Sequence, residues 1–319
     1  MPTAEQLKTL VKAHYESSPE RFITVALQIA SHEANLGHIV LANDLKKIID
    51  AAKLYHPKQN VLSNDLQGFL VEVQSNVRLS DLVLPVEILE RIKRIEREFI
   101  EKEKLHHHGM KNRRKILFSG PSGTGKTMSA YVIAHELSLP LKVVLMDKIV
   151  TKYMGETSAK LRQVFDYINS NQCVYLFDEF DAIGAERAKD NDVGEMRRVL
   201  NSFLQFIERD DSSSIIIAAT NNLSLLDQAL FRRFDDVLHY QLPSEKEKIT
   251  LIENKLGGYK GNYEVSEFVG SIGDLSQAEI THACYDSVKE TILSDKKTVE
   301  QELLLKMLKE RKAVYNKLK

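Results

Sequence analysis

The sequence predicts an α/β fold, a parallel sheet with helices on both faces, flanked by two smaller helical regions. Three observations predict it. Short apolar runs of strand type alternate with helical periodicity through the middle of the chain. The first of these runs opens into a glycine-rich loop and then a helix. The later runs end in acidic or polar residues, where an open parallel sheet collects its ligands.

From Met1 to about residue 75 the pattern is helical and separate from the strand-and-helix region. A helix is expected from Ala4 to His14. Ser18-Pro19-Glu20 is a helix start, a cap with proline next in the first turn. Phe22, Val25, Ala26, Ile29 and Ala30 then recur at helical spacing until Leu36-Gly37 stops them. Asn43 is expected to cap a third helix with the stripe Leu45, Ile48, Ile49 and Ala52, which His56-Pro57 ends. A three-helix unit of this kind either docks substrates or adaptors or is a packing appendage. Its residues carry no site-like chemistry.

The segment to Arg114 contains Leu79-Ser80-Asp81-Leu82-Val83-Leu84-Pro85 and then a charged helix from Val86 to about Leu105. His106-His107-His108-Gly109 closes that helix. Successive residues on a helix end diverge, so the histidines are read as a solvated run rather than a metal site.

Lys115-Ile116-Leu117-Phe118-Ser119 is a strand, and it runs into Gly120-Pro121-Ser122-Gly123-Thr124-Gly125-Lys126-Thr127, which fits the phosphate-loop pattern at every position. A triphosphate needs donors packed closely around it, and glycines let the backbone approach. Lys126 would reach the β- and γ-phosphates as a compact cation. Thr127 would place its hydroxyl on Mg²⁺, and the next helix, Met128 to Leu137, would aim its first N–H groups at the anion. Val132, Ile133 and Leu137 share a face of it.

Beyond the loop, Leu141 to Met146 is a strand and Ser158 to Ile168 a helix with Leu161, Val164, Phe165 and Ile168 on one face. Cys173 to Phe177 and Ile215 to Ala219 are further strands. The first of these ends in Asp178-Glu179, carboxylates that a strand end would hold at a cost without a cation or a proton to handle. Asp178 suits Mg²⁺, and Glu179 suits polarising an attacking water. From Leu242-Pro243 onward the chain is a helical lid. Ser244-Glu245-Lys246-Glu247 is a capping box, and longer helices come after it at Gln277 to Leu293 and Thr298 to Tyr315. The domains are therefore expected at 1–75, 76–242 and 243–319. The lysine-rich last helix, with Leu303, Leu304, Met307 and Leu308, is read as packed and solvated.

Composition bounds the rest. The 319 residues, 43% of them hydrophobic, carry 44 basic and 45 acidic side chains. That balance argues against nucleic acid or an acidic membrane as the main partner. Cys173 and Cys284 have no paired metal spacing and are expected to be reduced. No signal pattern opens the chain and no run nears the length of a membrane span. A soluble cytoplasmic protein is expected.

Several stretches together resemble the AAA family of ATPases in order and spacing, over roughly Val77 to Lys289. They are Asp81-Leu82-Val83-Leu84-Pro85, the phosphate loop, Lys152-Tyr153-Met154-Gly155-Glu156 and Phe177-Asp178-Glu179-Phe180-Asp181-Ala182-Ile183. Ala218-Ala219-Thr220-Asn221-Asn222 and Leu226-Asp227-Gln228-Ala229-Leu230-Phe231-Arg232-Arg233-Phe234-Asp235 complete the set. The resemblance implies a ring, usually a hexamer, in which ATP lies between subunits and hydrolysis drives pore loops that pull on polypeptide. It implies that Asn221 helps Glu179 position water. It makes Arg233, with Arg232 as an additional candidate beside it, a finger reaching the neighbouring site, where the guanidinium fork suits developing charge. Met128, Asp81, Val83 and Ala278 would flank the nucleotide, and Lys152, Tyr153 and Met154 would form the pore loop.

The chain also departs from the family pattern. Asp236 stands where many members carry a second finger arginine. Gln277 replaces glycine in Asp274-Leu275-Ser276-Gln277-Ala278-Glu279-Ile280, leaving there only an expected nucleotide-adjacent position. Pro121-Ser122 stands where Pro-Pro is common, which leaves phosphate contacts intact. Three functions fit: a protein unfoldase or disassembly motor, a nucleotide-controlled factor regulating a partner such as a protease, and, against the charge balance, a nucleic-acid motor or loader. The exposed apolar pair expected at Tyr153 and Met154 favours the first.

Overall fold

The computed structural model describes residues 4–15, 19–55, 66–149, 154–180, 193–222 and 231–316. The chain divides into two compact units, Met1–Val61 and Leu62–Lys319.

In the first unit α1 (Ala4–Tyr15), α2 (Pro19–Asn35) and α3 (Ile39–Tyr55) pack in sequence. Val25, Ala26, Ile29 and Ala30, the stripe expected on α2, are buried with Ala13, Ala42 and Ile49. Asn43 is not a cap. After the left-handed turn at Gly37 the third helix already starts at Ile39, and the Ala42 N–H donates to His38 O. Leu36, Ile39, Val40, Leu41 and Ile48 of this unit are exposed.

The second unit is built on a sheet of β1 (Leu70–Val73), β2 (Lys115–Ser119), β3 (Leu141–Val144), β4 (Val174–Phe177), β5 (Ile215–Thr220) and β6 (Asp236–His239). Among the described residues its order is β1-β3-β4-β5-β2-β6, parallel throughout except for β1. Because the central strands are covered on both faces, their apolar runs are continuous rather than alternating. Alternate residues feed two cores. Tyr175, Phe177, Ile216, Ala218 and Leu117 face α8 (Met154–Ser170) and α9 (Val193–Arg209). Val174, Leu176, Ile215, Ile217, Ile116 and Phe118 face α4 (Val86–Ile100) and α6 (Lys126–Glu136).

Three expectations are corrected here. The boundary at residue 75 moves to between Val61 and Leu62, since Leu70–Val73 pairs antiparallel with Leu141–Val144 and belongs to the sheet. The charged helix from Val86 breaks at Glu101, which has φ −93° and ψ 19°, and resumes as α5 (Lys102–His107), leaving the three histidines exposed. The strand expected to reach Met146 stops at Val144: the Leu145 N–H still donates to Phe69 O, and the short α7 (Met146–Ile149) then begins.

The chain then forms the lid: α10 (Glu245–Leu256), α11 (Val269–Ile272), α12 (Gln277–Leu293) and α13 (Gln301–Asn316), with a core of their own. The capping box at Ser244 is present and is reciprocated by Glu247. A second, at Ser276 and Glu279, starts α12. No helix of the described residues is long and apolar enough to cross a membrane.

On α4, Ile88, Ile92, Ile95 and Phe99 form the buried stripe, and Glu96 lies beside it, 9% exposed, with Oε1 unpartnered. Burial first, and then the charge of Glu136, raises its pKa from 4.5 to about 7. Between these values the folded protein holds a proton that the unfolded chain has released, so stability falls as pH rises from 4.5 through about 7. A Glu96→Gln variant should flatten the melting temperature over that window. An unchanged slope would show that Glu96 is not the group responsible.

Candidate functional site

The loop between β2 and α6 is shaped by three glycines with positive φ: Gly120 at 144°, Gly123 at 76° and Gly125 at 96°. Two of them are also required by close packing. A Cβ on Gly120 would stand 2.1 Å from Tyr240 O, and one on Gly123 would stand 2.6 Å from Ser276 Oγ. The loop is thus pressed between the strand-end residue Tyr240, whose N–H donates to Ser119 O at 2.6 Å, and the start of α12. Ala278 N–H donates to Gly123 O at 3.0 Å. Inside the loop, Thr124 Oγ1 donates to Pro121 O at 2.8 Å.

Lys126, 6% exposed, donates from Nζ to Gly120 O and Pro121 O at 2.8 Å and to Asn221 Oδ1 at 2.9 Å. A buried ammonium must be matched by acceptors, and here the loop and the end of β5 supply them. β4 ends beside this group. Thr127 Oγ1 donates to Asp178 Oδ2 at 2.8 Å, and Asp178 Oδ1 accepts the Glu179 N–H at 2.9 Å. Glu179 is exposed and sits at φ 50°, a left-handed conformation that costs a non-glycine residue and concentrates at functional sites.

The described residues therefore bring Lys126, Thr127, Asp178 and Asn221 into hydrogen-bond contact, with Glu179 next in the chain. They fit a nucleotide triphosphate and a hard divalent cation. The hydroxyl of Thr127 and the carboxylate of Asp178 already meet, and both are the oxygen donors that Mg²⁺ takes alongside phosphate. These two side chains would hold the ion, which supplies charge neutralisation at the phosphates when bound.

Of the flanking positions, Asp81 is exposed and accepts the Arg78 N–H, Val83 packs against the lid core, and Met128 is exposed. Arg232 is exposed and Arg233 half-buried, with Nε 3.4 Å from Glu208 Oε2. They precede β6, which runs parallel to β2 with Asp236 opposite Ile116 and His239 opposite Ser119. Asp235 accordingly accepts the N–H groups of Arg114 and Lys115, at the start of β2. Both arginines thus lie at the end of the sheet away from the phosphate loop, with roughly 10 Å of strand between. Asp236 bonds Arg91 of α4, and Arg91 also donates to Val237 O. Position 236 is thereby committed to holding α4 on the sheet edge. Lys152 and Tyr153 lie outside the described residues, and Met154 is the first residue of α8. Sequence reasoning missed Tyr240 and Ser276, the residues that press on the loop glycines. Ser276 lies in the stretch Asp274–Ile280 that the resemblance placed near the nucleotide, whereas no local pattern marks Tyr240 as a neighbour of the loop.

A strand, a glycine loop and a helix that carry Lys126 and Thr127, with Asp178 at the end of β4, one strand removed in the sheet, define a phosphate-loop nucleotide hydrolase. Residues 116–242 match the family described as ATPase family associated with various cellular activities (AAA). The chain is 31% identical over 308 residues to the uncharacterized AAA family ATPase y4kL of Sinorhizobium fredii, covering 94% of this chain and 93% of that one. It is 26% identical over 258 residues to a putative 26S proteasome regulatory subunit homolog of Methanothermobacter thermautotrophicus, 79% of this chain and 68% of that one. It is also 33% identical over 213 residues to the peroxisomal ATPase pex6 of Schizosaccharomyces pombe, 63% of this chain but 22% of the relative. The chain belongs to the AAA family of ATPases, and it is an enzyme that hydrolyses ATP.

Proposed function

We propose that this ATPase is a subunit of a hexameric ring that uses Mg²⁺ and ATP to pull on protein substrates. One observation carries the oligomeric part. Arg233 stands at the opposite end of the sheet from its own phosphate loop, so a cation from that turn would serve a γ-phosphate only in a neighbouring subunit. Its pairing with the exposed Glu208 is worth little and is easily exchanged. Glu179 would polarise the attacking water, with Asn221 helping to place it.

The protein-remodelling part draws on the similarity to a putative proteasome regulatory subunit homolog and to a peroxisomal ATPase. The N-terminal unit would dock the substrate or adaptor through Leu36, Ile39, Val40 and Leu41, an exposed apolar group that gains nothing in an isolated chain. Lys152, Tyr153 and Met154 would line the pore. Both cysteines are free and buried, which suits a reducing cytoplasm.

The test uses Tyr153→Ala, with substrates first captured on a Glu179→Gln variant in ATP. The Tyr153 variant should fold and hydrolyse ATP near the normal rate while losing ATP-dependent remodelling of the captured protein, since an aromatic there supplies grip rather than chemistry. A buried tyrosine would instead cost roughly 3 kcal/mol or more on truncation. An early-melting variant, or one that remodels as well as wild type, would move the assignment to nucleotide-controlled regulation of a partner such as a protease.

A further inference from the structure

The turn that carries Arg232 and Arg233 is fastened on both sides of them. Phe234 is buried in the core shared with α8 and α9, Phe231 packs against the same cluster, and the Phe234 N–H donates to Phe231 O at 3.3 Å. Asp235 then ties the turn to the start of β2 three times. Its Oδ2 accepts the N–H groups of Arg114 and Lys115, both at 2.9 Å, and its own N–H donates to Lys115 O at 2.7 Å. Those two donors lie before the β2–β6 pairing begins at Ile116, and an ionised carboxylate is a strong acceptor for them. The strand start is itself anchored. Arg114 is buried, and its guanidinium bonds both the carboxylate and the carbonyl of the buried Asp210, an ion pair that is costly to break. Asp210 follows α9, and Glu208, which faces Arg233, lies on the last turn of that helix.

We propose that Asp235 is a positioning residue for the arginine finger: its carboxylate fixes the turn bearing Arg233 to the anchored start of β2 and so sets where the guanidinium stands in the neighbouring site. The inference rests on Arg233 acting between subunits. Asp235 comes two residues after Arg233, so slack in its three bonds passes directly to the finger. A group that reaches across a subunit boundary must meet a phosphate held by another chain, and a misplacement of about 1 Å can cost about 10²-fold in rate. Asp235 touches neither nucleotide nor water in this role. It acts only through the backbone that carries Arg233.

The experiment measures ATP affinity and turnover for Asp235→Ala and Asp235→Asn, alone and in mixed rings. Asp235→Ala should bind ATP as wild type does and turn over about 10²-fold more slowly. Asp235→Asn should recover most of that loss, because its amide oxygen accepts the same two N–H groups. Mixing separates positioning from a merely structural role. Combined with Lys126→Ala, Asp235→Ala should regain turnover, since its intact loop borrows a correctly held Arg233 from the neighbour. Combined with Arg233→Ala it should stay slow, since neither subunit then brings a working finger. If Asp235→Ala does not fold, Asp235→Glu, which keeps the carboxylate but moves the turn by one methylene, carries the same comparison. Wild-type turnover in Asp235→Ala, weakened ATP binding, or rescue by both partners or by neither would overturn the inference while Arg233→Ala and Lys126→Ala still complement each other. Failure of those two to complement would instead remove the finger reading, and the inference with it.

Discussion

Replacing Glu179 with glutamine is expected to lower ATP turnover by about 10²- to 10⁴-fold, the range for loss of a positioned general base, while ATP still binds. The reason lies in how the residue is presented. Glu179 comes just after a buried strand, its N–H is tied to Asp178 Oδ1, and its backbone is held at φ 50°. In the proposed role a side chain held out at such a position, next to the carboxylate that bonds Thr127, would take a proton from the attacking water. Glutamine keeps the shape and removes the basicity. The checks are steady-state phosphate release and nucleotide affinity. Turnover at the wild-type rate, or loss of ATP binding together with turnover, would overturn this role for Glu179.

The second large effect concerns Arg233. A finger arginine contributes ~10³-fold or more in related phosphoryl transfers, so Arg233→Ala should be almost inactive. Lys126→Ala should be inactive as well, because the ammonium that the loop carbonyls and Asn221 now accept is the cation available to the phosphates. The two defects are predicted to complement one another. In a mixed ring, an Arg233→Ala subunit keeps an intact phosphate loop and can borrow Arg233 from a Lys126→Ala neighbour. Turnover should therefore reappear on mixing, in proportion to the fraction of correctly ordered pairs. Verified mixed rings that stay inactive would exclude Arg233 as a group acting between subunits. Activity in Arg233→Ala alone would exclude it as a finger at all.

The phosphate loop, the Asp178-Glu179 strand end and the capping box at Ser244 were legible in the sequence, because each rests on side chains and backbone preferences within a few residues of one another. The same holds for β4, whose unbroken apolar run allowed only a strand covered on both faces. Contacts between distant segments decided the rest. Leu70–Val73 and Asp236–His239 are four-residue strands that exist because an existing edge accepts them, and neither run announces itself alone. Asn43 has the chemistry of a cap, but the turn at Gly37 starts the helix earlier. Two loop glycines turned out to be required by Tyr240 and Ser276 as well as by phosphate. Parallel pairing of β6 with β2 sent Arg233 to the far end of the sheet, and the docking of α12 on Gly123 left the Gln277 carboxamide buried and unpaired. Period and propensity are local properties that sequence carries openly, whereas register, burial and hydrogen-bond satisfaction depend on which distant backbone arrives alongside.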